Sequence, residues 1–214
     1  HLHNHTTYSV LDGLTKIDQL VQMTKDFGMD AVAVTDHGTM GGDLTFYKKA
    51  KKEGIKPILG IETYVAARGR KDRDPAKDKP RYHLTMLAMN NTGWKNLMKL
   101  STLANLEGMY YKPRIDHELI EKYNEGLIIL SGCASSEMGC ALKDGDYDKA
   151  REIAKWYHGI LGDRYYLEMQ DHGHPKSHTH WKVQGRINDG LMKLSKELNI
   201  PLVVTCDGHY PTHE

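Results

Sequence analysis

Histidine is abundant in this chain, 13 of 214 residues, and several stand where a metal ion could use them. His3 and His5 lie two apart in a segment that reads as a short strand, so both imidazoles leave one face. Asp207 and His209 repeat that spacing just past the apolar run PLVVT, where a strand hands over to its loop. Asp36 and His37 follow the run AVAVT, Glu62 closes the run that begins at Pro57, and Cys133 comes just after LIIL. Imidazole, carboxylate and thiolate are the ligands that zinc, manganese and iron accept, and clustered ions of this kind activate water for hydrolysis. Singly, each residue has a plainer use: a hydrogen-bonded strand histidine, a helix-capping aspartate, a buried inert thiol. Gathered at one mouth, the same carboxylates and imidazoles would be costly unless cations neutralised them.

The elements that must position these groups follow from the hydrophobic pattern. Five short apolar runs read as buried strands: residues 31–35, 57–61, 83–87, 126–130 and 201–205. Residues 1–5 and 164–169 are weaker candidates, making seven. Between them, Ile17, Leu20, Val21, Thr24 and Phe27 recur at helical spacing, opened by Thr15 and closed by Gly28. Similar patterns run over residues 44–50, 94–106, 147–161 with Asp146 as cap, and 181–198. Alternating strands and helices predict a parallel α/β sheet with helical crossovers, doubly wound or closed into a barrel. In either form ligands gather at the carboxyl ends of strands, which is where the candidate residues fall. His83 is the exception, since it starts its run.

Composition narrows the partners. Lys and Arg total 29 against 28 Asp and Glu, leaving +1, so no global field draws the chain to nucleic acid or anionic lipid. No apolar run approaches the ~18 residues that would span a bilayer. Three cysteines (Cys133, Cys140, Cys206) without CxxC spacing build no disulfide framework and point to a reducing compartment, the cytoplasm. The opening His1 and the missing initiator Met read as a piece of a longer chain. Residues 68–81, RGRKDRDPAKDKPR, carry seven positive and three negative charges. They read as a solvated surface loop whose local surplus could also meet a polyanion. A second histidine group, His172, His174, His178 and His180, lies among Gly173 and Pro175 in an irregular segment and reads as surface.

Seven motifs in order, HLHNHT, LDG, TDHG, GIETYV, YHL, SGC and CDGHY, resemble the PHP (polymerase and histidinol phosphatase) domain. The stretches LEGMYYKPRID, FYKKAKKEGIKPILG and YLEMQDHG narrow the resemblance to the PHP domains of the bacterial DNA polymerase III alpha family, over essentially the whole chain. This implies one domain over residues 1–214, a distorted TIM-like barrel of seven βα units at the N-terminal end of a larger polymerase chain. It also implies a trinuclear site of Zn, Mn or Fe held by His3, His5, Asp12, His37, Glu62, His83, Cys133, Asp207 and His209. Glu62 is the expected bridging carboxylate, with His37 and Asp207 beside it as catalytic residues, and Asp36 would orient the His37 ring. His3, His5 and Asp207 would hold one ion, with His83, Cys133 and His209 sharing the others.

The implied activity is phosphoester hydrolysis at DNA 3′ ends, 3′–5′ exonuclease proofreading. Single-stranded DNA, the rest of the polymerase chain and other replisome subunits would be the partners. Lys112, Arg114, Tyr110 and Tyr111 are candidate contacts to phosphates and unpaired bases. Two alternatives stand beside this: a metal-stabilised interaction domain without activity, and a free-standing phosphatase of the histidinol-phosphate type, for which the YYKPRID stretch has no purpose.

Overall fold

A computed structural model describes residues 1–172 and 181–212. In chain order the elements are α1 (Ile17–Asp26), β1 (Ala31–Val34), α2 (Asp43–Lys52), β2 (Lys56–Ala66), β3 (Arg81–Ala88), α3 (Asn91–Leu106), β4 (Met109–Tyr110), β5 (Lys112–Ile115), α4 (His117–Tyr123), β6 (Leu127–Leu130), α5 (Glu137–Lys143), α6 (Tyr147–Leu161), β7 (Tyr165–Gln170), α7 (Trp181–Leu198) and β8 (Leu202–Thr205). Helices α3 to α6 begin where side chains can satisfy their first amides. Asn90, Asp116, Ser136 and Asp146 accept from the backbone N–H three residues on. Helices α1 and α2 open without such a cap, and Gly28 follows α1 in the left-handed region at φ 66°.

The strands join edge to edge into a ring. β1 and β2 are parallel, β2–β3 and β3–β6 antiparallel, β6–β7 and β7–β8 parallel. From Gly208, beyond β8, hydrogen bonds pass to the N-terminal segment: His5 N–H donates to the Gly208 carbonyl at 2.8 Å and Gly208 N–H to that of His3 at 3.2 Å. That segment in turn meets β1, accepting from Ala33 at His1 (2.9 Å) and from Thr35 at Asn4 (3.0 Å). The ring thus closes through residues 1–5, which make only an isolated bridge at Asn4. The fold is a distorted α/β barrel.

Two features depart from the sequence reading. The sheet is mixed, because β3 runs against both neighbours. β2 also continues four residues past Glu62, pairing there with β3 and, in parallel, with β5 at Tyr64 and Val65. The first departure explains His83. In a reversed strand the amino end lies at the mouth where its parallel neighbours place their carboxyl ends, so His83 reaches the same opening from the start of its strand.

Alternation along β3 sends Arg81, His83, Thr85 and Leu87 to one face. Leu87, with Ala33 and Leu130, forms a dry floor inside the ring. Outside, α1 and α2 cover Val32 and Val34 with Ile17, Val21, Phe46 and Ala50. The larger outer core packs α3 to α7 on Met86, Ile115, Leu127, Ile129, Tyr165 and Leu167.

Candidate metal centre

Glu62 is the hub. It is 1 % exposed, and its carboxylate meets His3 Nε2 at 3.2 Å, His83 Nδ1 at 3.0 Å and the Cys133 thiol at 3.7 Å, with His37 Nδ1 in contact and His5 Nε2 at 3.9 Å. Asp207, held in a left-handed turn at φ 50°, faces His3 at 3.3 Å and His5 at 3.1 Å. His209 Nε2 stands 3.4 Å from His37 Nε2 and 4.0 Å from Asp12, which lies 3.4 Å from His37. All nine residues named by the sequence therefore meet in one cluster at the mouth of the ring. His209 sits with His5, His37 and Asp12, while His83 and Cys133 (3.4 Å apart) sit across Glu62, so these three residues divide between the two groups outside the one formed by His3, His5 and Asp207.

Three overlapping sets have ligand atoms within 4.8 Å of one another: His3, His5 and Asp207; His5, His37 and His209; His37, Glu62 and His83. Five atoms among them, His3 Nε2, His5 Nε2, His37 Nδ1, Glu62 Oε2 and Asp207 Oδ1, are buried with no hydrogen-bond partner among the described residues. They meet only one another, as ion pairs, and burying such groups without hydrogen bonds is unfavourable. A cluster of nitrogen, oxygen and sulfur donors left open in this way fits divalent cations.

The surroundings fix which nitrogen faces inward. Ser9 Oγ donates to Asp36 at 2.7 Å, so it accepts from His5 Nδ1–H at 3.0 Å, leaving the His5 Nε2 lone pair for the cluster. Asp36 thereby acts on His5 through Ser9, which also accepts from the His37 amide at 3.1 Å, and does not orient the His37 ring as expected. Its remaining bonds come from the amide and hydroxyl of Thr6, at 2.7 and 2.8 Å. His209 Nδ1 donates to the Asp207 carbonyl at 2.8 Å, turning Nε2 inward.

Sequence reasoning passed over Glu168. Buried in β7, it accepts from His3 Nδ1 at 2.6 Å, Thr205 Oγ1 at 2.6 Å, the Gly132 amide at 3.1 Å and Thr85 Oγ1 at 3.3 Å. A carboxylate behind a ligating histidine fixes its tautomer and raises its basicity. The available signal was a glutamate inside an apolar strand, YYLEMQ, where a charge needs a partner.

Protonation reflects the crowding. Burial would lower the His3 pKa, but Glu168 and Asp207 outweigh it and hold the ring well above its ordinary value. Burial lowers His5, and His37 is raised against burial by Glu62. Burial would likewise raise Glu62 and Asp207, yet the histidines hold both below the usual carboxylate range. The Cys133 thiol is pushed well up, by burial first and Glu62 second. With the protein's own groups alone, histidine protons supply the positive charge that cations would otherwise bring.

The candidate nucleic-acid contacts fare differently. Arg114 is fully buried, donating to the carbonyls of Gly108 (3.2 Å), Asp78 (3.0 Å), Arg70 (3.0 Å) and Asp72 (2.9 Å), so it anchors the 68–81 loop and has no face left for phosphate. That loop is solvated over most of its length, as expected, but pinned at Arg68, Arg70 and Asp78. Arg70 is buried against Asp116 at 3.0 Å and also meets Glu107 and Glu118, while Arg68 grips Asp78 through two nitrogens. Tyr110 lies under the Arg114 guanidinium and edge-on to Tyr111, which is 70 % exposed at the tip of the β4–β5 hairpin with φ 61°. Lys112 reaches the ring of Tyr64, beside the cluster. In the second histidine group, His172 Nε2 lies 3.2 Å from Gln170 Oε1; His174, His178 and His180 fall outside the described residues.

A ring of strands carrying histidines and carboxylates at its mouth is the arrangement of the PHP domain, and that family's profile matches residues 1–172; the chain belongs to it. Its sequence is 44% identical to the DNA polymerase III subunit alpha of Aquifex aeolicus over 216 residues, covering 98% of this chain and 18% of that one. It is 45% identical to the subunit of the same name from Treponema pallidum, covering 100% and 18%. The chain thus spans about a fifth of the length of these curated relatives. Among solved structures, an amidohydrolase from Chromobacterium violaceum with bound sulfate and no metal has the same fold, with a TM-score of 0.59 at 12% identity over 97% of this chain and 86% of that one. Among the described residues, no helix is long and apolar enough to cross a membrane.

Proposed function

We propose that this PHP domain is a metal-dependent phosphoesterase that trims single-stranded DNA 3′ ends within a replicative polymerase, in the cytoplasm. The observation that carries the reading is the buried cluster around Glu62, with five ligand atoms that make no hydrogen bond among the described residues, in three overlapping sets. Three divalent ions fit those sets: His3, His5 and Asp207 would hold one, His5, His37 and His209 with Asp12 a second, and His37, Glu62, His83 and Cys133 a third. A thiol among the ligands favours zinc, with manganese or iron as the harder choices, over magnesium. Such ions, when bound, lower the pKa of water and offset charge on phosphoryl oxygens.

The chain's own residues do the rest. Glu62, ionised by its histidine neighbours, stands between His3 and His5 on one side and His37 and His83 on the other. Ser9 and Glu168 present His5 and His3 in the tautomers that leave Nε2 free. Asp207 joins His3 to His5, and His37 stands between the outer two sets.

Glu62→Ala tests this. In the full chain loaded with Mn²⁺ or Zn²⁺, hydrolysis of a 3′-labelled oligonucleotide should fall by roughly 10³-fold or more while the circular dichroism spectrum is kept. Unchanged rates would retire the phosphoesterase reading. A loss of melting temperature with no hydrolysis in either protein would assign the cluster to a metal-stabilised interaction domain.

A further inference from the structure

Arg81, Tyr64 and Lys112 stand next to the cation cluster without belonging to it. Tyr64 lies two residues past Glu62 on the same face of β2, in register with His83, its ring centre 6.3 Å from that of His37 and 5.3 Å from that of His83. The Arg81 guanidinium carbon is 5.8 Å from the centre of the Tyr64 ring, and Lys112 Nζ approaches the same ring from β5 at 5.6 Å.

Other arginines nearby are saturated: Arg68 and Arg70 by carboxylates, Arg114 by four carbonyls. Among the described residues, neither Arg81 nor Lys112 is paired with a carboxylate. Arg81 keeps one long contact, Nη1 to the Lys79 carbonyl at 3.4 Å, and its Nε is buried with no partner. Half-buried cations without a counter-ion pay desolvation that the face of one tyrosine offsets only in part. An arriving anion would complete both.

Position says which anion. β3 enters from the mouth, so Arg81 lies outward of His83 by two residues of strand, about 7 Å. That is close to the separation of successive phosphates along an extended nucleic-acid strand. We propose that Arg81 and Lys112, braced on Tyr64, form a subsite for a second phosphate one step outward of the cation cluster. The substrate class is then the end of a phosphodiester chain carrying a further phosphate, not a lone phosphomonoester. This rests on the phosphoesterase reading.

The test uses the full chain and a fluorescein-labelled thymidine pentanucleotide, with binding read by anisotropy across a salt series after chelation and again with Mn²⁺. Relative to wild type, R81M/K112M should bind at least tenfold more weakly at low salt. Its slope of log affinity on log salt should shrink by about 1.4, two contacts at ~0.7 each for single strands. The charge-keeping R81K/K112R should bind within about threefold of wild type, and K112M alone should lose about 0.7 of slope. Unchanged affinity and slope in K112M and the double variant would overturn the subsite.

Hydrolysis separates the two claims. In R81M/K112M, kcat/KM on the oligonucleotide should fall at least tenfold further than on p-nitrophenyl phosphate, and equal losses would also overturn it. If loaded wild type cleaves neither substrate, the phosphoesterase reading falls, while the binding arm still decides the subsite.

Discussion

Two buried polar clusters stand side by side in this molecule, and they are finished differently. Under the 68–81 loop, Arg114 and Arg70 meet carbonyls and carboxylates at hydrogen-bonding distance, and each of these two charges has its complement within the chain. At the mouth of the ring, Glu62, His3, His5, His37 and Asp207 approach as closely, yet five of their atoms meet only one another, as ion pairs without a hydrogen bond among the described residues. Polar groups that satisfy one another hold a fold together, whereas polar groups left open await something from outside. Both patches are rich in charge and both are buried. Completeness of bonding, and not charge, separates the anchor from the site.

The contrast breaks or sharpens in three places. The largest expected effect is in the anchor: Arg114→Met strands four carbonyls and should cost about 3–5 kcal/mol in urea unfolding, equally in chelated and metal-loaded protein. A loss confined to the loaded form would join anchor and site into one system.

Asp43 comes next, because it is an open group outside both clusters, buried with neither oxygen hydrogen-bonded among the described residues. Burial first and Asp36 second raise its pKa from 3.8 to about 8. The folded state therefore prefers the neutral acid: its contribution is whole below pH 3.8 and is lost as pH climbs towards 8. Asp43→Asn should gain about 2–4 kcal/mol at pH 7 and almost nothing at pH 4. An equal gain at both pH values would show that proton uptake does not settle this group.

The smallest effect concerns Glu168, a satisfied group inside the open cluster. Glu168→Gln should weaken metal binding 10–100-fold in a competition titration with a chromophoric chelator. No change would mean that orientation of His3 does not matter to the cluster.

Much of this was legible from residue order. The runs of β-branched residues and the i, i+2 pairs mark the strands and the ligands they carry, and Asp146 and Gly28 mark helix ends. Strand direction was not legible, because an apolar run reads the same both ways, so the reversal of β3 and the reason for His83 emerge only with pairing. The helices α4 and α5, seven residues each, are too short to display a period. The β4–β5 hairpin turns at Tyr111, in a backbone region where glycine or asparagine would have been the cue. Arg114 looked like a phosphate contact because a basic residue near tyrosines has the same composition whether it faces outward or inward.

The closure of the ring through residues 1–5 has a consequence for assembly. His3 and His5 meet Asp207 only when segments some two hundred positions apart have found each other, so the cluster at the mouth is among the most non-local features of the chain. Contacts of such long sequence separation are entropically late to form. Metal capture by the full set should therefore report the last stage of folding, and a chain stalled with its first segment undocked would keep its helices and outer core yet lack the cluster.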